Sequence, residues 1–193
     1  TCNPIPLLLK IFLSGFSLKY YKKSSKSYKE VKNKTFSITP PKKLFLTKEQ
    51  SNAINKIKRN NSGFNVIALD GVTSSGKTRV YLHAIKETLE KGYQCIILVP
   101  EKILTKQWIE EISKDFGILP AIYHSSVSRI ERNKIWLGVL KKKISLVIGT
   151  RSALFLPFKK IGLIVIDEEH DPSFKQEEGV IINVRDMGIV RAK

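Results

Sequence analysis

Cysteine is scarce: Cys2 and Cys95 are the only two in 193 residues, they lie far apart, and Cys95 sits inside the apolar run of residues 93–99. No disulfide framework or zinc knuckle can be built from such a pair, so a small stapled fold is excluded and Cys95 is expected to be a buried, reduced thiol. Long apolar runs are missing as well. Residues 5–16 come nearest, but Lys10 interrupts them, they fall short of a membrane span, and they lack the basic flank and small-residue cleavage site of a signal peptide. The expected setting is the cytoplasm. Acidic residues are few, Asp+Glu 17 against Lys+Arg 34, which leaves a formal charge of +17. That excess predicts a polyanionic partner, nucleic acid or an anionic membrane surface, and says nothing of fold.

What is present is ordinary globular material. With 42% hydrophobic residues the chain is neither disordered nor collagen-like, and it is long enough to bury the core of one domain. No internal repeat is visible. Beginning at Thr1 and ending in Val190-Arg191-Ala192-Lys193, it reads as a piece of something longer. Charge is unevenly spread: residues 1–61 hold 14 Lys+Arg and 2 Asp+Glu, whereas residues 62–193 hold 20 and 15. Residues 19–45 read as a basic linker, Lys- and Ser-rich up to Lys34 and followed by Pro40-Pro41. Residues 1–18 read as the tail of an upstream DNA-binding domain, and residues 46–193 as the main domain.

From Thr47 the pattern becomes regular. Thr47-Lys-Glu-Gln50 fits a capping box, and Ala53, Ile54 and Ile57 follow at helical spacing. Next come a strand at 64–69, a helix at 77–91 closed by Gly92, a strand at 93–99 and a helix at 104–116 ending at Gly117. A short strand at 121–123 follows. Ser128-Arg-Ile-Glu131 opens a helix to Leu140, and strands are expected at 144–148 and 163–166. Strands that are apolar throughout and separated by helices imply a parallel sheet covered on both faces, a doubly wound α/β domain.

Two motifs carry chemistry. Gly71-Val72-Thr73-Ser74-Ser75-Gly76-Lys77-Thr78 satisfies G-x-x-x-x-G-K-[ST] between an expected strand and an expected helix. Its backbone amides and the helix N-terminus form an anion cradle, Lys77 reaches the β- and γ-phosphates, and the Thr78 hydroxyl can ligate Mg²⁺. The apolar residues 163–166 run into Asp167-Glu168-Glu169-His170, at the carboxyl end of a strand where ligands bind in such sheets. Asp167 is the candidate Mg²⁺ ligand, and Glu168 the group that orients or deprotonates the attacking water.

Asp167-Glu-Glu-His170 resembles the Walker B box of superfamily 2 helicases, and the fuller matches narrow the resemblance to their primosomal, replication-restart members. They are Gly71–Tyr81, Val99-Pro-Glu101 with Leu104-Thr105 and Gln107, Gly149-Thr-Arg-Ser-Ala-Leu-Phe155, and residues 165–179 with Arg185-Asp186. The resemblance covers residues 46–193. It implies a RecA-like P-loop NTPase lobe, ATP and Mg²⁺ as ligands, no zinc site among these residues, and coupling of ATP hydrolysis to DNA unwinding in replication restart. It also implies single-stranded and branched fork DNA as partners, with primosome and single-strand-binding proteins. Neither the family's second lobe nor its zinc-binding cysteine clusters are among these residues.

By the same resemblance Gln50 is a candidate for adenine recognition, although as the N3 residue of a capping box it has a purely structural role open to it. Pro100, Glu101, Thr150 and Arg151 fall on segments that line the single-strand path in related helicases; Arg151 either binds DNA or caps a strand end. His124 has a structural reading. His170 is expected to couple the phosphate site to DNA, and Phe174 and Arg185 join the DNA candidates. Two departures stand out: Ser74 replaces the family's usual Gly, and residues 180–184 replace an aromatic, basic run. The competing reading is a non-catalytic DNA-binding and primosome-docking fragment that holds ATP without turning it over. A membrane-surface protein is a third.

Overall fold

A computed structural model describes residues 46–59, 63–72, 75–116, 119–176 and 182–193. The proposed upstream remnant and basic linker, together with Thr73, Ser74, Gly117 and residues 177–181, lie outside them. Helix α1, Lys48–Arg59, begins where the sequence places it, because the capping box closes reciprocally. Thr47 N donates to Gln50 Oε1 at 3.0 Å, and Gln50 N donates to Thr47 Oγ1 at 3.2 Å. Helix α2, Lys77–Glu90, ends at Gly92 with φ +76. Strand β1 is Gln94–Leu98, helix α3 Lys106–Phe116, strand β2 Ala121–Tyr123 and helix α4 Arg129–Leu140. Strand β3 is Leu146–Gly149 and strand β4 Ile161–Ile166. After a two-stranded hairpin, β5 Lys175–Gln176 and β6 Ile182–Asn183, comes helix α5, Val184–Ala192.

The main sheet runs β2-β3-β1-β4 and every pairing in it is parallel. This is the expected α/β sheet wound on both faces. Because side chains alternate along a strand, β1 feeds two cores. Cys95, Ile97 and Val99 pack with Tyr81, Leu82 and Ile85 of α2 and Ile112 of α3. Ile96 and Leu98 pack on the other side with Ile135 and Val139 of α4, Leu154, Phe174 and Val184. The whole of β1 is buried, and burial pushes the Cys95 thiol up to about 12, as suits an inert core thiol.

Two expectations need correction, and one helix adds to them. Residues 64–69 are not a strand: they take no place in the sheet, which ends at β4, and Phe64, Val66 and Ile67 are exposed. An apolar run signals a need for burial, but a strand also needs a neighbour to complete its hydrogen bonds. Helix α3 starts later than residue 104, because Thr105 is its cap, its Oγ1 accepting from Trp108 N at 3.2 Å. Helix α5 was not anticipated. Asn183 Oδ1 caps it by accepting from Arg185 N at 2.9 Å, and Gly188 lets it lie close on β4, since a Cβ there would sit 3.1 Å from Ile166 Cδ1.

Candidate nucleotide and nucleic-acid site

The motif residues converge because each follows a parallel strand or precedes a helix, and all therefore stand at one edge of the sheet. The ladder continues past the strand ends: Asp167 N donates to Leu98 O (2.9 Å), Val99 N to Gly149 O (3.0 Å) and Thr150 N to Tyr123 O (3.2 Å). Segments 99–101, 123–126, 149–151 and 167–170 are thereby held side by side.

The glycine-rich loop closes onto α2 through Gly76, whose φ of +81 and ψ of 25 are left-handed. A side chain would be strained there and would also have no room, because its Cβ would fall 2.2 Å from Gln50 Nε2. Gln50 is 8% exposed and donates from Nε2 to Ser75 O at 3.2 Å. The capping-box glutamine thus joins α1 to the loop. Lys77 Nζ folds back over the loop and donates to Gly71 O and to Val72 O. We expect Gly76→Ala to lower stability by about 1–3 kcal/mol in urea unfolding, and wild-type stability would refute the strained geometry.

Tyr81 is the residue that sequence reasoning missed. One helical turn past Thr78, it is buried, and its hydroxyl donates to Asp167 Oδ2 at 2.9 Å. Burial first, and then the Asp167 charge, drive its pKa well above the ordinary phenol value, so it stays a donor. Asp167 Oδ1 accepts from Glu168 N at 3.1 Å. Both carboxylate oxygens are therefore fixed. The signal in the sequence was a Tyr at i+3 from Thr78, on the helix face that meets β4.

Glu168 is held at φ 53, an uncommon conformation for a residue with a side chain. Its Oε2 lies 3.2 Å from His170 Nε2, and His170 is largely exposed. Glu169 pairs with Arg185 at 3.6 Å. Asp171 caps the following 3-10 turn, accepting from Ser173 N, and pairs with Lys102 at 2.6 Å. The hydrogen bond from Lys102, followed by those from Ser173, pulls the Asp171 carboxyl down to about 2. Lys102 thus ties the segment after β1 to the acidic box, a link with no local sequence signal.

The DNA candidates fare unequally. Pro100 is buried as the cap of the 3-10 turn Glu101–Ile103. Glu101 Oε1 accepts from Ser125 Oγ at 3.0 Å and lies 3.7 Å from His124 Nδ1, so it braces a neighbouring loop. Thr150 and Arg151 are half-buried; Arg151 donates to Lys175 O at 3.1 Å, fastening the hairpin. His170 and Arg185 face solvent. Phe174 is 2% exposed and packed in the core, so its ring is no surface platform for a base. An aromatic near a motif signals burial as readily as stacking.

Among the described residues no three His, Cys, Asp or Glu side chains gather to hold a metal ion. One hydroxyl and one carboxylate suit Mg²⁺, which is commonly held by one or two protein oxygens with substrate phosphates and water. No described helix is long and apolar enough to cross a membrane.

Residues 47–188 match the family model of the DEAD/DEAH box helicases. The chain is 45% identical over 146 residues to the replication restart protein PriA of Rickettsia felis, covering 76% of this chain and 22% of that protein. To the protein of the same name from Bacillus subtilis it is 41% identical over 174 residues, covering 86% and 21%. The chain therefore spans between a fifth and a quarter of the length of these relatives.

Proposed function

This chain belongs to the DEAD/DEAH box helicase family, and we propose that it is the ATP-binding, RecA-like lobe of a replication-restart helicase that couples ATP hydrolysis to strand separation of DNA. The observation that carries the reading is the hydrogen bond from the buried Tyr81, one turn into the P-loop helix, to Asp167 Oδ2 at 2.9 Å, which ties that helix to the acidic box. A chance motif pair has no reason to be joined by a buried tyrosine.

On this reading the loop amides and Lys77 hold the β- and γ-phosphates of ATP, while Thr78 and Asp167 hold Mg²⁺. The ion, when bound, neutralises charge on those phosphates. Glu168 takes a proton from water as its oxygen bonds to the γ-phosphorus and the bond to the ADP oxygen breaks. His170, beside Glu168, passes the state of the phosphate site toward DNA lying along the edge lined by Thr150, Arg151 and Arg185. Gln50 has one amide hydrogen left after Ser75 O, available to an acceptor on the adenine edge. Branched fork DNA, primosome proteins and single-strand-binding proteins are the partners of such a machine.

The test separates binding from chemistry in a protein long enough to include both motor lobes. Glu168→Gln should bind ATP with Mg²⁺ at near-normal affinity and hydrolyse it about 10²–10⁴-fold more slowly. Asp167→Asn should instead raise the Mg²⁺ concentration needed for half-maximal binding. Normal phosphate release by Glu168→Gln would remove Glu168 from the catalytic role.

A further inference from the structure

At the opposite edge of the sheet, the N-terminal ends of β3, β1 and β4 carry Lys141, Lys142, Lys143, Lys91, Lys159 and Lys160. All six are exposed, and residues 91–94, 141–145 and 159–161 contain no Asp or Glu. The three loops are neighbours, since Gln94 N donates to Lys160 O and Cys95 N to Ser145 O, both at 2.7 Å. Adjacent strands set them about 4.8 Å apart. The buried Gln94 side chain makes them one rigid unit. Its Nε2 donates to Val139 O (3.0 Å) and Ile144 O (2.9 Å), and its Oε1 accepts from Lys159 N (3.0 Å) and Lys160 N (3.3 Å).

A second observation is independent of charge. Helix α4 ends in a Schellman motif: Lys143 N donates to Gly138 O at 2.8 Å and Lys142 N to Val139 O at 3.0 Å. The left-handed position of that motif is usually Gly, yet here it is Lys142 at φ 57. The fold tolerates strain to place a lysine in the middle of the patch, and strain held at a surface points to binding.

We propose that these lysines form a second, sequence-independent surface for the phosphate backbone of duplex DNA, on the sheet edge opposite the phosphate-binding loop. It rests on the reading of DNA as the partner and goes beyond it by assigning a separate face. Lysines act as point charges on phosphates and carry no base readout. A single strand would call for free aromatic rings to stack its bases. The exposed ring in these loops, Tyr93, is instead covered by Lys160 Nζ at 4.2 Å from its centroid. A membrane surface would call for an apolar face to insert, and Phe64, Val66, Ile67 and Val72 lie elsewhere in the chain.

Fluorescence anisotropy of the 193-residue chain with labelled duplex and single-stranded DNA, across a salt series, tests this. Lys142→Gln with Lys160→Gln should weaken duplex binding about 10-fold or more at low salt and make the slope of log affinity against log salt shallower by about 2. Removing equal charge from α1, with Lys48→Gln and Lys56→Gln, should change the slope by less than half as much. Lys142→Gly should raise the melting temperature by about 1–3 °C while still weakening duplex binding, which a purely structural residue would not do. Equal effects of the two double variants, or an unchanged slope, would overturn the surface alone, with binding of a fluorescent ATP analogue unaffected. Loss of binding to phosphatidylserine vesicles without loss of duplex binding would overturn it in favour of a membrane. A chain that binds neither form of DNA at low salt would overturn the DNA reading as well.

Discussion

Replacing Lys77 with alanine is expected to lower affinity for ATP with Mg²⁺ by about 10–100-fold, and to abolish hydrolysis in a protein with both motor lobes. A charge-assisted hydrogen bond to phosphate contributes about 1.5–3 kcal/mol, which sets that range. The ammonium donates to Gly71 O and Val72 O, so it lies over the loop, where phosphate oxygens would take the place of those carbonyl oxygens. The substitution leaves the fold intact: alanine is the best helix former, and Lys77 opens α2 from a half-buried position. DNA binding should persist, because the lysines at the far edge of the sheet are untouched. Titration with a fluorescent ATP analogue, alongside DNA anisotropy on the same sample, reads both quantities. Near-normal nucleotide affinity would remove Lys77, and with it the phosphate-binding loop, from the site.

Local rules recover much of this lobe. Reciprocal side-chain caps at Thr47 and Gln50, Ser128 ahead of α4, Gly92 at the end of α2, and unbroken apolar runs between helices all act within a few residues, so α1, α2, α4 and strands β1 to β4 are legible. The P-loop and the acidic box are legible for the same reason, since each is one turn at the end of one element. The failures have a common form. Residues 64–69 and β1 are both apolar runs, and only the pairing of β1 with β3 and β4 distinguishes them. Phe174 follows the acidic box in sequence, but the 3-10 turn capped by Asp171 rotates it into the core. Tyr81–Asp167 and Lys102–Asp171 join residues 86 and 69 positions apart, and nothing in either segment announces its partner. Gln94 is the extreme case. It reads as one polar residue in an apolar strand, while its side chain fastens three loops at once.

The largest expected effect comes from a residue that this lobe does not bring to its own site. In two-lobed motors an arginine stabilises charge on the transferred phosphoryl group, and such a residue is typically worth about 10³–10⁵ in rate. The chain has seven arginines, and the fold engages or misdirects each. Arg151 is bound to Lys175 O, Arg185 lies between Glu169 and Asp186, and Arg191 donates to Leu154 O and Leu156 O. Arg132 lies over the Tyr123 ring, and Arg129 opens α4 beyond β2, three strands from β4. Arg59 ends α1, nine residues past Gln50 and so about 13 Å along the helix axis from the contact with the loop. Arg79 is two residues past Lys77, turned about 200° from it around α2. These 193 residues alone should therefore bind ATP with Mg²⁺ but release phosphate only slowly, with or without DNA. Supplying a second lobe in the same polypeptide should raise DNA-stimulated hydrolysis about 10³–10⁵-fold with no change to any residue here. Robust DNA-stimulated hydrolysis by the 193-residue chain would refute this assignment and place the missing arginine on a second copy of the chain. Persistent inactivity of the two-lobed protein, with nucleotide bound, would instead favour the non-catalytic, DNA-docking reading.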